Sequence, residues 1–195
     1  MSNTSSPTKD ELRVSALRAR RALNDHERAR ASAKIALRVV HRREFSAAQT
    51  LACYLPMHDE VDPSDIIARA WRAKKRVFAP VIDNKRGMTF RQLLPETRLE
   101  RNCYGLWEPV DGQRIATRDL DLVVTPVVAF DAKRNRIGMG GGYFDRCFAF
   151  LKPRRSWLHP KLIGVAFDCQ RAEKIESSPW DIPLYRIISE ISQAP

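Results

Sequence analysis

The chain is short of several things, and each shortage excludes something. Among its 195 residues are four cysteines, Cys53, Cys103, Cys147 and Cys169, with no Cys-x-x-Cys pair. That spacing provides neither a disulfide framework nor a structural zinc site, and it suits free thiols in a reducing compartment. The four histidines, His26, His41, His58 and His159, have no zinc-ligand spacing and no nucleophile elbow beside them, so zinc hydrolysis and Ser-His-Asp chemistry have no support. No apolar run approaches the roughly 20 residues of a membrane span. The opening MSNTSSPTKDELRV lacks the apolar middle of a secretory signal, so a cytoplasmic protein is expected. Aromatic residues are 8% of the chain and no helix-turn-helix pattern occurs, which argues against a nucleic-acid platform.

Acidic residues are also in deficit: 23 against 34 Lys and Arg, a net charge of +11. Residues 1–45 hold 11 basic and 5 acidic residues, a net of +6, so over half the excess lies in the first quarter. Such a field draws anions, whether nucleic acid, nucleotides or small carboxylates and phosphates, unless it is only a solvated arginine-rich surface. Length and a 44% hydrophobic content fit one domain with one core. The expected division is a loose tail over 1–7 and a single domain over 8–195.

Thr8 and Glu11 have the spacing of a capping box, and Leu12, Ala16, Ala19 and Leu23 repeat at helical intervals behind it. Asn24-Asp25 ends this helix and caps a second, with Ala29, Ala33, Ala36 and Val40 along one side. Strand and helix signals then alternate. TLACYLP (50–56) reads as a buried strand, and Asp62-Pro63 as an N-cap with proline at the first helical position, before Ile66, Ile67, Ala70 and Trp71 on one face. RVFAPVI (76–82), MTFRQL (88–93), DLVVTPVVAF (121–130), KLIGVAF (161–167) and YRIIS (185–189) read as strands, and a helix is expected from Tyr143 to Leu151. The alternation predicts a three-layer α/β/α sandwich with a mostly parallel, Rossmann-like sheet, preceded by two basic helices.

Glycine is scarce too, which makes its distribution informative. Four of the eight glycines, Gly138, Gly140, Gly141 and Gly142, fall within five positions of NRIGMGGGYFDR (135–146). The loop lies between a strand and a helix, where open α/β folds bind ligands and where backbone N–H groups meet phosphates. It has neither the Lys-Ser/Thr of a P-loop nor the third glycine of a dinucleotide fingerprint. A tight turn without a ligand is the simpler reading for one or two glycines; for four, flanked by Arg136, Tyr143, Asp145 and Arg146, a phosphate-binding loop of another type is favoured.

RIGMGGGYFDR resembles the signature of the 5-formyltetrahydrofolate cyclo-ligase family. Further similarities follow in order: Lys9 and Arg13 in KDELR, YLPMHDEVD (54–62), WEP (107–109), DLDLVVTPVVAFD (119–131), GVAFDCQ (164–170) and PWDIPL (179–184). The resemblance implies an enzyme that uses ATP and Mg²⁺ to convert 5-formyltetrahydrofolate, with or without a polyglutamate tail, into 5,10-methenyltetrahydrofolate. It implies ATP contacts from Lys9, Arg13, Arg136, Ile137, Gly138, Met139, Gly140, Gly141, Gly142, Tyr143 and Phe144. It places Leu55 and Glu60 on the substrate, together with Met139 to Tyr143. Asp145 and Asp181 become Mg²⁺ ligands, and Arg136, Tyr143 and Asp145 carry the catalysis.

The chain departs from the family pattern at three places. Phe144 stands where many members have a second tyrosine, Gly141 where some have lysine, and Tyr185 near a further aspartate. Charge near the transferred phosphoryl group would then come from Arg146 or Lys9. A monomer without membrane attachment is expected. Two rivals share the fold: a non-catalytic nucleotide-, folate- or nucleic-acid-binding module, and an ATP-independent enzyme of sugar phosphates or CoA thioesters.

Overall fold

Thr8 opens the first helix. Its Oγ accepts the Glu11 N–H at 3.3 Å while the Glu11 carboxylate accepts the Thr8 N–H at 2.7 Å, a reciprocal capping box. Helix α1 (Lys9–Ala22) gives way to α2 (Asp25–Val40), which Asn24 and Glu27 cap in the same manner. The computed structural model describes residues 7–83, 87–152, 159–191 and 193–194. All of the expected N-terminal tail except Pro7 lies outside them.

The buried face of α2 is Ala31, Ser32, Ile35, Ala36 and Val39. Ala29 and Ala33, expected on that face, are exposed. Alanine tolerates either side of a helix, and the larger Ile35 and Val39 decide which side turns inward. After the short α3 (Arg43–Ala47) come β1 (Thr50–Cys53), α4 (Ser64–Arg72) and β2 (Arg76–Ile82). Helix α4 starts one residue later than expected: Asp62 Oδ1 accepts the Ser64 N–H at 2.9 Å, and Pro63 is the cap rather than the first helical residue.

Strand β3 (Met88–Gln92) returns antiparallel to β2. The weakly patterned stretch that follows contains the hairpin β4 (Leu99–Arg101) to β5 (Trp107–Pro109) and the two-residue β6 (Arg114–Ile115). DLVVTPVVAF is not one strand. β7 (Leu122–Pro126) ends at proline, which has no N–H to extend the ladder, and β8 (Ala129–Phe130) pairs instead with β9 (Arg136–Ile137). The expected helix over 143–151 is also shorter. α5 (Tyr143–Cys147) stops where the fully buried Phe148 packs against Phe90, Phe144 and Phe150, and a 3₁₀ turn finishes the segment. β10 (Lys161–Val165), β11 (Arg186–Ile188) and β12 (Gln193–Ala194) complete the chain.

Among the described residues, eight strands form one sheet in the order β12-β11-β10-β7-β1-β2-β3-β6, parallel from β11 to β2. Successive strand residues point to opposite faces. Leu51, Val77, Leu122, Val124 and Ile163 pack on one side with α2 and α4, while Ala52, Phe78, Val123, Leu162 and Ile187 pack on the other against Phe148 and Leu151. Helices thus flank a mostly parallel sheet, as the alternation predicts. No helix among the described residues is long and apolar enough to cross a membrane.

Asp121 fixes the amino-terminal edge of this sheet. Its Oδ2 accepts the N–H groups of Gln49 and Thr50 at 2.8 Å each and the Thr50 hydroxyl at 2.9 Å, and its own carbonyl accepts the Lys161 N–H at 2.9 Å. Burial works against the ionised carboxylate, but the N–H groups of Thr50 and Gln49 outweigh it and hold its pKa below the usual aspartate range. Asp121→Ala is expected to cost about 2–3 kcal/mol at neutral pH in urea unfolding. The contribution is present above the ordinary aspartate pKa and is lost as pH falls through the depressed folded value, so the two proteins should converge in acid.

Candidate active site

The chain runs from β1 to β2 on one side and from β7 to β10 on the other. A crevice therefore opens beyond the carboxyl ends of β1 and β7, the switch point at which open α/β sheets bind ligands. A cleft of about 930 Å³ lies there. One wall is apolar, built by Leu55, Met57, Pro80, Ile82 and Met88 from the ends of β1 and β2 and the start of β3. The other is charged and comes from α1, the glycine loop and the segment before β11.

Helix α1 packs on the β8–β9 hairpin, with Leu12, Ala16 and Leu17 against Val128, Ala129 and Ile137. Positions 9, 13, 16 and 20 share one side of a helix, so its cations follow the packing stripe. Lys9 Nζ donates to Asp181 Oδ2 at 2.6 Å and to Ser178 Oγ at 2.7 Å, and the Ser178 N–H donates to the same Asp181 oxygen at 2.7 Å. Arg13 Nε donates to the Gly138 carbonyl at 2.9 Å and pairs with Asp10. Arg20, two turns beyond Arg13, is 2% exposed; its Nε and Nη2 reach the two oxygens of Asp59 at 3.1 and 3.0 Å.

The glycine loop follows β9. Gly140 (φ +97°) and Gly142 (φ +65°) are left-handed, and a Cβ on Gly142 would lie 2.7 Å from the Arg146 guanidinium. Gly142 caps α5, which has only five residues. The loop's own backbone, not a long helix dipole, therefore supplies the N–H groups an anion would meet.

Behind the loop, Arg136 Nη2 donates to Asp145 Oδ1 at 2.8 Å, and the Ile182 N–H donates to the same oxygen at 3.1 Å. The Arg136 side chain is 7% exposed. Burial lowers its pKa, opposed by the charge of Asp145, its ion-pair partner, and by that of Asp181. Its buried Nε has no acceptor among the described residues. No group of three or more His, Cys, Asp or Glu side chains among the described residues forms a metal cage. Two carboxylates are nevertheless a fitting set for an ion that completes its shell with water and phosphate oxygens.

Tyr143 OH donates to Tyr104 OH at 3.0 Å, which holds the Tyr143 pKa above its usual value, and the Arg146 guanidinium lies 5.1 Å from the Tyr143 ring centroid. Glu60 lines the cleft with a side chain only 7% exposed. Burial raises its pKa, opposed by the Met57 N–H, which donates to Oε2 at 3.0 Å, and by Arg20, whose Nη1 is 3.8 Å from Oε1.

Every residue singled out from the sequence lines this cleft: Lys9, Arg13, Leu55, Glu60, the whole run 136–144, Asp145 and Asp181. Several neighbours were not anticipated. Trp180 (70% exposed) presents apolar surface at the cleft, and Glu108 supports it by accepting the Ile82 N–H at 2.8 Å. Arg20 had one sequence signal, its place four residues after Ala16 on the buried stripe.

An open, mostly parallel sheet with a cleft at its switch point, walled by apolar side chains and by cations around a glycine loop, defines a ligand-binding α/β protein. A model of the 5-formyltetrahydrofolate cyclo-ligase family matches residues 5–190. The chain belongs to that family. It is 33% identical over 173 residues to the 5-formyltetrahydrofolate cyclo-ligase of Haemophilus influenzae, covering 86% of this chain and 88% of that one. It is 33% identical over 180 residues to the enzyme of that name from Escherichia coli K12, covering 87% and 93%. The structure is similar to the 5,10-methenyltetrahydrofolate synthetase of Aquifex aeolicus, with a TM-score of 0.81, 29% identity, and 95% and 91% of the two chains covered.

Because the Glu60 pKa is raised in the folded protein, its proton stabilises the fold below the ordinary glutamate pKa, and that contribution is lost as pH rises through the raised value. Glu60→Gln, which keeps the neutral form, is expected to be more stable than wild type at neutral pH. The difference should shrink as pH falls, which unfolding curves across a pH series would check.

Proposed function

We propose that this cleft converts 5-formyltetrahydrofolate into 5,10-methenyltetrahydrofolate with consumption of ATP. The observation that carries the proposal is convergence. Cations from α1, the glycine loop and an acidic residue 172 positions from Lys9 share one cleft with an apolar wall suited to a pterin ring. The buried Arg136 Nε without an acceptor supports an anionic ligand, since buried donors ordinarily find partners.

A formamide oxygen is a poor leaving group. In the proposed reaction it attacks the γ-phosphorus of ATP, the bond to the β-phosphate oxygen breaks, and ADP departs. N10 then attacks the formyl carbon, loses its proton, and the former formyl oxygen leaves as part of inorganic phosphate. The ring closes as the methenyl cation. The protein's work is positioning and charge stabilisation.

In this reading Leu55 packs on the pterin and Glu60 accepts hydrogen bonds from its nitrogens. Lys9, Arg13 and Arg136 exchange their present partners for phosphate oxygens, and the run from Ile137 to Phe144 closes backbone around the phosphates and the formyl group. Asp145 and Asp181 would hold Mg²⁺, which neutralises phosphate charge when bound. Arg146, stacked beside Tyr143, supplies the positive charge that lysine at position 141 gives in some relatives. The four free cysteines agree with a reducing, cytoplasmic setting.

The test is absorbance of the methenyl product on mixing the protein with 5-formyltetrahydrofolate and MgATP. Product should require ATP. Arg136→Met and Asp145→Asn should each lower kcat by on the order of 10²–10³. Well-folded wild-type protein that binds nucleotide or folate without forming product would replace the proposal with the binding-module reading.

A further inference from the structure

Glu60 is the acid that the proposed reaction places on the pterin, and it does not stand alone. It sits in the turn after β1, where its own N–H donates to the Met57 carbonyl at 3.1 Å and the Met57 N–H donates back to Oε2. The next residue back, Asp59, is gripped by both arms of the Arg20 fork. A third nitrogen of the same guanidinium, Nη1, faces the remaining Glu60 oxygen, Oε1, at 3.8 Å. Arg20 itself sits on α1, whose earlier turns reach Asp181 through Lys9 and the glycine loop through Arg13.

We propose that Arg20 is a positioning residue for the substrate-facing carboxylate: it clamps Asp59 with a two-point hydrogen bond and sets the place of Glu60 beside it. This rests on the proposed role of Glu60 in binding the pterin. Arg20 is 2% exposed and reaches no reacting atom, so its effect passes through Glu60. A guanidinium is suited to the task, because a planar fork fixes a carboxylate in direction as well as distance. A buried carboxylate that must accept hydrogen bonds also has to stay ionised. Here burial and Asp59 favour the neutral form, while Arg20 and the Met57 N–H favour the charged one.

The other ionisable groups around this point are Arg21 of α1, 3.6 Å from Asp59, and Tyr54, Cys53 and Asp62 along β1 and its following turn. Cys169, from the connection after β10, also feels the Arg20 charge. Cys53 and Tyr54 have pKa values raised by burial and stay neutral near neutral pH. Arg21 is held at the surface. Arg20 is thus the buried cation beside Glu60, and its removal has a sign that simple loosening does not share. Loss of the charge moves the Glu60 titration to higher pH. A loosened turn lets in water and moves it down toward the ordinary glutamate value.

The experiment follows the Glu60 carboxyl by carbon NMR across pH in the ligand-free full-length protein, alongside kinetics of methenyl formation. With Arg20→Met, the Glu60 midpoint should rise, and the acid limb of kcat/KM for 5-formyltetrahydrofolate should rise with it. At neutral pH kcat/KM should fall by on the order of 10–100-fold, with KM for ATP little changed. A midpoint that stays put or falls overturns the proposal. Should that variant fail to fold, Arg20→Lys keeps the charge and loses the fork. The midpoint should then stay near wild type while KM for the folate rises several-fold, and an unchanged KM overturns the proposal. The two readings separate cleanly. If wild type makes no methenyl product, the proposed reaction falls, whereas the ligand-free titration still decides whether Arg20 governs Glu60.

Discussion

A guanidinium or carboxylate taken out of water needs partners of opposite charge or a full set of hydrogen bonds, and few conformations of a chain provide them. Arg20 and Arg136 impose that constraint here. Arg20 requires Asp59, which fixes the turn after β1; Arg136 requires Asp145, which fixes the start of α5 against Ile182. Each demand binds a different part of the cleft to the frame. Charge pairs therefore tether both walls of the cleft, the turn after β1 on the apolar side and α5 on the charged side, and the charged side contains the unusual backbone.

The glycine loop makes sense in this setting. Left-handed residues at Gly140 and Gly142 pack the chain tightly between α1 and α5, with the Gly138 carbonyl anchored by Arg13. A side chain at 142 would displace Arg146, which lies over Tyr143, and Tyr143 is in turn bonded to Tyr104 in the β4–β5 connection. Loop conformation, aromatic contact and cation placement form one arrangement.

Much of this was legible in the residues. The Thr8–Glu11 cap, the alternating strands and helices and the clustered glycines depend on local spacing, and local spacing survives folding. The edges of elements were less legible. DLVVTPVVAF reads as one apolar run, yet Pro126 ends the ladder and sends β8 to another partner. Ala29 and Ala33 suggested a buried stripe that the bulk of Ile35 and Val39 overruled. Asp145 is marked by its place in the first turn after the glycine loop, whereas Asp181 is legible only through the family resemblance, because an aspartate in PWDIP is an ordinary turn residue by itself. Arg20 went unnoticed. Its meaning comes from Asp59, 39 residues away, and only tertiary packing puts them together.

The pairing of Lys9 with Asp181 also sets an order in time. The two residues are separated by 172 positions, so the contact that ties α1 to the segment before β11 is among the least local in the molecule. On a ribosome, the lysine leaves the exit tunnel long before its aspartate has been made. Until then α1 carries its stripe of cations without that counter-charge, and the nascent chain has strands and a glycine loop but no finished binding wall. Translation thus leaves this wall of the cleft open until β1 to β10 have been made, and closes it only with the last strands of the sheet.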